Sequence, residues 1–223
     1  MYRVVFKKLS LAAVLATSFA TSANSQTVFT DDFSSGNPVV GTAYTLVAGG
    51  GGALPGLYRV VQNPATDFSL NGYSNYFDHT FGSAAGRMMF FDGASDQRAI
   101  WTRAATLTNG VSYTFSFWAS SALDSNNPAV GFLLDGMPVG TAIATANATW
   151  RQFSYSFVAT VSSVRTFSIV DLNTAGFGND GALDDVLLTA SIPEPSSTLL
   201  LTCGMIIIAI GVRRRSVASR GIQ

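Results

Sequence analysis

A chain of 223 residues with 13 basic and 13 acidic side chains has no formal charge, yet seven of the basic residues lie before residue 9 or after residue 212. The stretch Gln26–Ala190 keeps twelve Asp against six Arg, with no Glu and no Lys, a formal −6 that excludes binding along a phosphate backbone by counterion release and so speaks against nucleic acid. One His (His79) and one Cys (Cys203, in a C-terminal apolar run) exclude a zinc centre of imidazoles and thiolates, and any disulfide within the chain.

At the N-terminus, Arg3, Lys7 and Lys8 precede an apolar stretch from Leu9 to Ala20, and Ala23-Asn24-Ser25 offers the small residues a signal peptidase reads. Residues 1–25 are expected to be a secretory signal peptide, with the mature chain beginning near Gln26. The 165 residues of Gln26–Ala190 then suit one domain with a sizeable core.

Between the two ends the hydrophobic period is two. Val111, Tyr113, Phe115 and Phe117 share one face of Val111–Ala119 while Ser112, Thr114 and Ser116 share the other, and Phe153, Tyr155 and Phe157 alternate with polar residues in Trp150–Ala159. In chain order the spacing predicts strands at Thr27–Asp32, Leu57–Val61, Arg87–Phe91, Ala99–Leu107, Val111–Ala119, Ala129–Leu134, Trp150–Ala159, Arg165–Asp171 and Ala182–Thr189. Turn signals at Thr108-Asn109-Gly110, Asp135-Gly136 and Asn179-Asp180-Gly181 separate several of them, and Asp135-Gly136, ahead of Met137-Pro138-Val139, predicts a tight hairpin. Gly49–Gly52 lacks the Lys-Ser/Thr and following helix of a phosphate cradle and reads as a flexible loop. No segment carries a helical stripe, so the expected fold is all-β, an antiparallel β-sandwich.

The polar residues restrict the chemistry. The only Glu, Glu194, lies in the C-terminal tail, so a glycosidase here would need two Asp. His79 follows Asp78, but adjacent residues of an extended chain diverge and no Gly-x-Ser-x-Gly elbow accompanies them, which assigns His79 to a loop rather than to catalysis. Gln26–Ala190 holds twenty-three aromatic residues. Tyr73 and Tyr76, in Asn71-Gly72-Tyr73-Ser74-Asn75-Tyr76, are interleaved with amides in a loop and are expected to be exposed for sugar contact, with Asp78 nearby, while Phe115, Phe117 and Phe157 point to the core. The pairs Asp31-Asp32 and Asp184-Asp185 are candidate calcium ligands, because calcium takes six to eight oxygens without rigid geometry. Neighbouring Asp184 and Asp185 face opposite sides of a strand unless it bulges.

The tail, residues 191–223, combines Pro193-Glu194-Pro195, an apolar run from Leu199 to Val212 with an expected membrane helix at about 197–212, and the basic stop Arg213-Arg214-Arg215. Fourteen apolar residues reach about 21 Å as a helix against about 30 Å of hydrocarbon, which makes a marginal anchor, and Cys203 is simply a small apolar residue within it. This order of motif, apolar segment and arginines resembles the PEP-CTERM sorting signal of Gram-negative bacteria, and the resemblance implies processing by an exosortase near Pro195. It also implies a route from transient attachment in the inner membrane, domain outward, to the cell surface or extracellular matrix.

A second resemblance spans the domain. Asp31-Asp32-Phe33-Ser34-Ser35-Gly36, the strands of Trp101 and Trp118, Trp150-Arg151-Gln152-Phe153 and Leu183-Asp184-Asp185-Val186 resemble carbohydrate-binding jelly rolls of the galactose-binding-like type. That resemblance implies a structural calcium ion held by Asp184 with groups near the first strand. The expected function is non-enzymatic binding of polysaccharide, such as an exopolysaccharide. The alternatives are a structural or adhesive matrix protein without a small ligand and an Asp-dependent polysaccharide hydrolase.

Overall fold

The computed structural model describes residues 24–37, 39, 41–47, 54–68 and 72–192. Pro193-Glu194-Pro195, the apolar run with Cys203, Arg213–Arg215, Gly49–Gly52, Asn71 and residues 1–23 of the expected signal peptide lie outside them. The strands are β1 (Asn24–Asp31), β2 (Thr45–Leu46), β3 (Leu57–Val61), β4 (Met88–Phe91), β5 (Ala99–Leu107), β6 (Ser112–Ser121), β7 (Ala129–Leu134), β8 (Met137–Ala144), β9 (Arg151–Val158), β10 (Ser163–Asp171) and β11 (Gly181–Ile192). One helical turn, α1 (Pro64–Asp67), follows β3. The alternating pattern predicted β3, β5 and β7 to the residue. It did not predict β2 or α1, because both are short and neither bears an amphipathic period. The helical turn is set locally instead: Asn63 caps it, its side chain accepting from the Ala65 N–H at 3.0 Å, and Pro64 occupies the first position, where no N–H is needed.

Two sheets form a β-sandwich. The larger has the order β2-β3-β4-β11-β6-β9 with β1 also on β11, and the smaller has the order β5-β10-β7-β8. Every pairing is antiparallel except β2 with β3. The long strand β11 organises the larger sheet. One edge pairs with β6, and the other takes β4 along Gly181–Leu183 and then β1 along Val186–Ile192. β1 and β11 end on the pair Asn24↔Ile192, two residues beyond the expected domain limits at each end. The predicted hairpin links β7 to β8, with Leu134 opposite Met137 and positive φ at both Asp135 (51°) and Gly136 (80°), the geometry of a type I′ turn.

The core between the sheets is aromatic. Phe115 and Phe117 of β6, inward as the alternation requires, meet Phe132 of β7 at 4.4 Å and Phe153 of β9 at 4.9 Å between ring centroids. Phe157 is half-buried against the same cluster. A second apolar cluster lies on the other face of the larger sheet, where Val61, Met88, Phe90, Ala122 and Ala182 are covered by Phe68, Tyr73 and Tyr76. An apolar outer face must be shielded from water, and the excursion between β3 and β4 supplies the shield.

Candidate functional site

That shield places the residues singled out in the sequence. Tyr73 and Tyr76 are only 6% and 7% exposed, which corrects the expectation that they present open rings. Tyr73 packs on Phe90 at 4.8 Å and on Phe68 at 6.1 Å, and Tyr76 meets Trp150 edge-on at 6.0 Å. Loop position suggested exposure, but a loop that covers an apolar sheet buries its rings. Asp78 is buried as well. Its Oδ2 accepts the Phe81 N–H at 2.7 Å, and the Gly86 backbone comes so close that a Cβ there would lie 2.1 Å from the carboxylate.

Asp184 and Asp185 sit where β11 loses register with β6, and Asp185 has φ +48°. The bulge turns both carboxylates toward the same loop. Asp184 accepts the His79 N–H at 2.7 Å and the Thr80 N–H at 3.3 Å through Oδ2, and the Asp185 N–H at 2.8 Å through Oδ1. Asp185 holds the His79 Nδ1 at 2.6 Å and accepts the Thr80 hydroxyl at 2.6 Å. The His79 ring stacks on Trp118 at 3.8 Å. Burial, and then the charge of Asp185, push the Asp184 carboxyl up to about 7 against those N–H donors. His79 is thus a latch fastening the covering loop to β11.

The other acidic pair lies apart from this latch. Asp31 shares the inward face with Phe29 and accepts the Trp101 indole N–H at 3.0 Å, whereas Asp184 shares the opposite face with Ala182. Asp32 accepts the N–H and hydroxyl of Ser34 at 3.1 and 2.8 Å. All four oxygens of Asp184 and Asp185 take protein donors, and among the described residues no three acidic, His or Cys side chains gather as a metal site. As placed, these residues do not fit the six to eight open oxygen positions a calcium ion requires.

A different pair of carboxyls comes together at the end of β4 and the start of β11. Because Phe91 pairs with Gly181, Asp92 and Asp180 meet beside that register point. They face each other beneath a cavity of about 280 Å³ that Leu54, Tyr73, Leu123 and Phe177 also line. The Tyr73 hydroxyl donates to Asp92 at 3.2 Å, and the Gly93 N–H donates to Asp180 at 2.9 Å. Burial first, and then the facing Asp180 charge, raise the Asp92 carboxyl to about 7, and burial raises Asp180 too. Two such groups share a proton more readily than they ionise together.

Phe177 stands at the rim of the cavity, 85% exposed. The Asn126 amide donates to its carbonyl at 2.9 Å, and Gly176 and Gly178, with φ of 64° and 80°, let the loop turn sharply on either side of it. The Asn173 amide donates in turn to the Asn126 and Asn127 carbonyls at 2.7 and 3.1 Å, tying the loop that carries Phe177 to the loop after β6. A large apolar ring therefore projects into water from a braced backbone, beside buried carboxyls. A second, larger cleft of about 640 Å³ lies against β1 and β5, lined by Asp31, Asn37 and Arg103. Its tryptophan, Trp101, is 1% exposed and offers no face.

Asp92, Asp180 and Phe177 were not singled out from the sequence. The available signal was the turn sequence Asn179-Asp180-Gly181 and the Asp-Gly step Asp92-Gly93, which resembles it. Their convergence depends on β4 meeting β11.

No family model matches the chain, and no curated protein matches it. Among solved structures the chain is similar to the CBM22-1 xylan-binding domain of Xyn10C from Paenibacillus barcinonensis (9% identity, TM-score 0.43, 77% of this chain and 98% of that one). It is similar to the C-terminal domain of EclA, a sugar-binding protein (23% identity, TM-score 0.41, 46% of this chain and 76% of that one). It is similar also to the apo form of a cyclase from Fischerella sp., at 11% identity and a TM-score of 0.50 over 76% of this chain and 98% of that one. At 11% identity that last likeness is one of fold, and the fold is the β-sandwich described above.

Proposed function

We propose that the sandwich is the polysaccharide-binding part of an exported surface or extracellular-matrix protein that an exosortase sorts through its Pro193-Glu194-Pro195 tail, and that it is not an enzyme. The observation that carries the binding reading is Phe177, an 85% exposed ring on a braced loop at the mouth of a cavity floored by Asp92 and Asp180. A sugar ring has an apolar C–H face to lay on an aromatic side chain and hydroxyl donors to offer carboxylates, and cavities that bind small molecules pair apolar walls with a few convergent polar groups.

The same geometry speaks for binding rather than hydrolysis. Glycosidase carboxyls flank the reacting centre and leave room for it between them. Asp92 and Asp180 instead lie buried together on one floor of the cavity, where the Asp180 charge raises the Asp92 carboxyl. His79 is engaged by Asp185 and Trp118. The sorting reading rests on the order of tail motif, apolar run and arginines, which by the positive-inside rule keeps Arg213–Arg215 in the cytoplasm and the sandwich outside. A glycan array probed with the chain tests the binding reading: the expected result is retention on a restricted set of polysaccharides, and an array without signal argues for a purely structural matrix role.

A further inference from the structure

The inference below rests on the reading that the Phe177 cavity holds a glycan. We propose that this glycan carries free amines, as a hexosamine polymer without its N-acetyl groups does, and that the Asp92–Asp180 pair receives a sugar ammonium. Among the described residues that line the cavity, none is Lys, Arg or His. Its floor presents two carboxyls buried to 6% and 5% exposure. Among the described residues their donors are the Tyr73 hydroxyl, which donates to Asp92 and also bears on Asp180, and the Gly93 N–H on Asp180. Such a pair lacks a cation and is rich in acceptors. It keeps at least one negative charge even when it holds one proton.

An ammonium supplies what is missing, a positive charge with three N–H donors and no acceptor of its own. A sugar hydroxyl supplies a donor without the charge, and a uronate or sulfate would be repelled. A bare divalent cation is the poorer occupant, because calcium asks for six to eight oxygens while Leu54, Leu123 and Phe177 give this cavity apolar walls. Those walls suit the carbon skeleton of the same sugar, and the Phe177 face attracts a cation through its π-electrons. The formal −6 of Gln26–Ala190 raises the local concentration of a polycationic glycan.

The test titrates the full-length chain in detergent, at about pH 6, with tetramers of glucosamine, N-acetylglucosamine and glucose. The glucosamine tetramer should bind at least about tenfold more tightly than the other two, the scale of a charge-assisted contact. The double variant Asp92→Asn with Asp180→Asn, which removes both carboxyls while the amide oxygen at 180 still accepts from Gly93, should bring the three within about twofold of one another, and Phe177→Ala should weaken all three. Asp135→Asn, which removes a charge at the β7–β8 turn yet keeps an Asn-Gly pair there, should leave the preference intact. Equal binding of the three tetramers by the unaltered chain overturns the amine inference and leaves polysaccharide binding standing. Loss of the preference in Asp135→Asn assigns it to overall charge and also overturns the inference. No binding of any tetramer together with a silent glycan array overturns both readings.

Discussion

Asp92, Asp171 and Asp184 each pay for burial with a raised affinity for protons, to about 7, 6 and 7 respectively. Each folded value exceeds the roughly 3.9 of an unfolded aspartate. The stabilisation linked to their protons is therefore complete below about pH 4 and is lost as the pH rises through 6 and 7. Thermal melts should show the midpoint falling between pH 5 and pH 8, and Asp92→Asn should flatten that slope and raise the midpoint at pH 8; an unchanged slope would mean that Asp92 is ionised in the folded chain. Gly86 makes a second residue-scale case. Gly86→Ala places a methyl 2.1 Å from the Asp78 carboxylate, an overpacking expected to cost about 1–3 kcal/mol and to lower the midpoint by several degrees. Neither feature was legible beforehand. Gly86 sits in an ordinary-looking loop, and Asp92 and Asp180 carry only local turn signals. What makes them special is a neighbour distant in sequence.

At the scale of elements, alternation and turn chemistry were enough to read β3, β5, β7 and the Asp135-Gly136 hairpin, because those features are encoded within a few residues. The covering of the larger sheet was not readable in this way. Met88-Met89-Phe90-Phe91 is apolar on both faces, a sign that β4 is buried on both sides, and the Tyr73–Tyr76 loop is what buries the outer one. The bulge at Asp185 was foreseen only as the condition under which both carboxylates could share a side. Once there, the two hold the loop through His79 and Thr80. His79→Ala should destabilise the fold by about 1–3 kcal/mol, through the lost Trp118 stack and the unpaired Asp185, and should red-shift tryptophan emission as water reaches Trp118. An unshifted spectrum would deny the latch. Since the carboxylates already have protein donors, melting in EDTA and in calcium should coincide, and a calcium-raised midpoint would contradict that reading.

For the whole molecule, the ends of the sandwich and the tail bear on one question, where the protein is delivered and what it meets there. β11 reaches Ile192, next in sequence to Pro193-Glu194-Pro195, the motif that the sorting reading makes the processing site. Mass spectrometry of the extracellular form should find a C-terminus near Pro195, and an intact Gln223 there would contradict processing. The sequence carried that reading through a compact motif, and it carried the sandwich through its period of two. It did not carry the cavity beside Phe177, which is assembled from loops that meet only when β4 and β11 pair. The most direct test of the central claim is the affinity of the intact chain and of Phe177→Ala for a polysaccharide retained on the array, measured by calorimetric titration alongside their melting temperatures. The account predicts a loss of at least about tenfold in affinity for Phe177→Ala with an unchanged midpoint, as for an aromatic hot spot removed from a braced loop. Equal affinities of the two chains would contradict it.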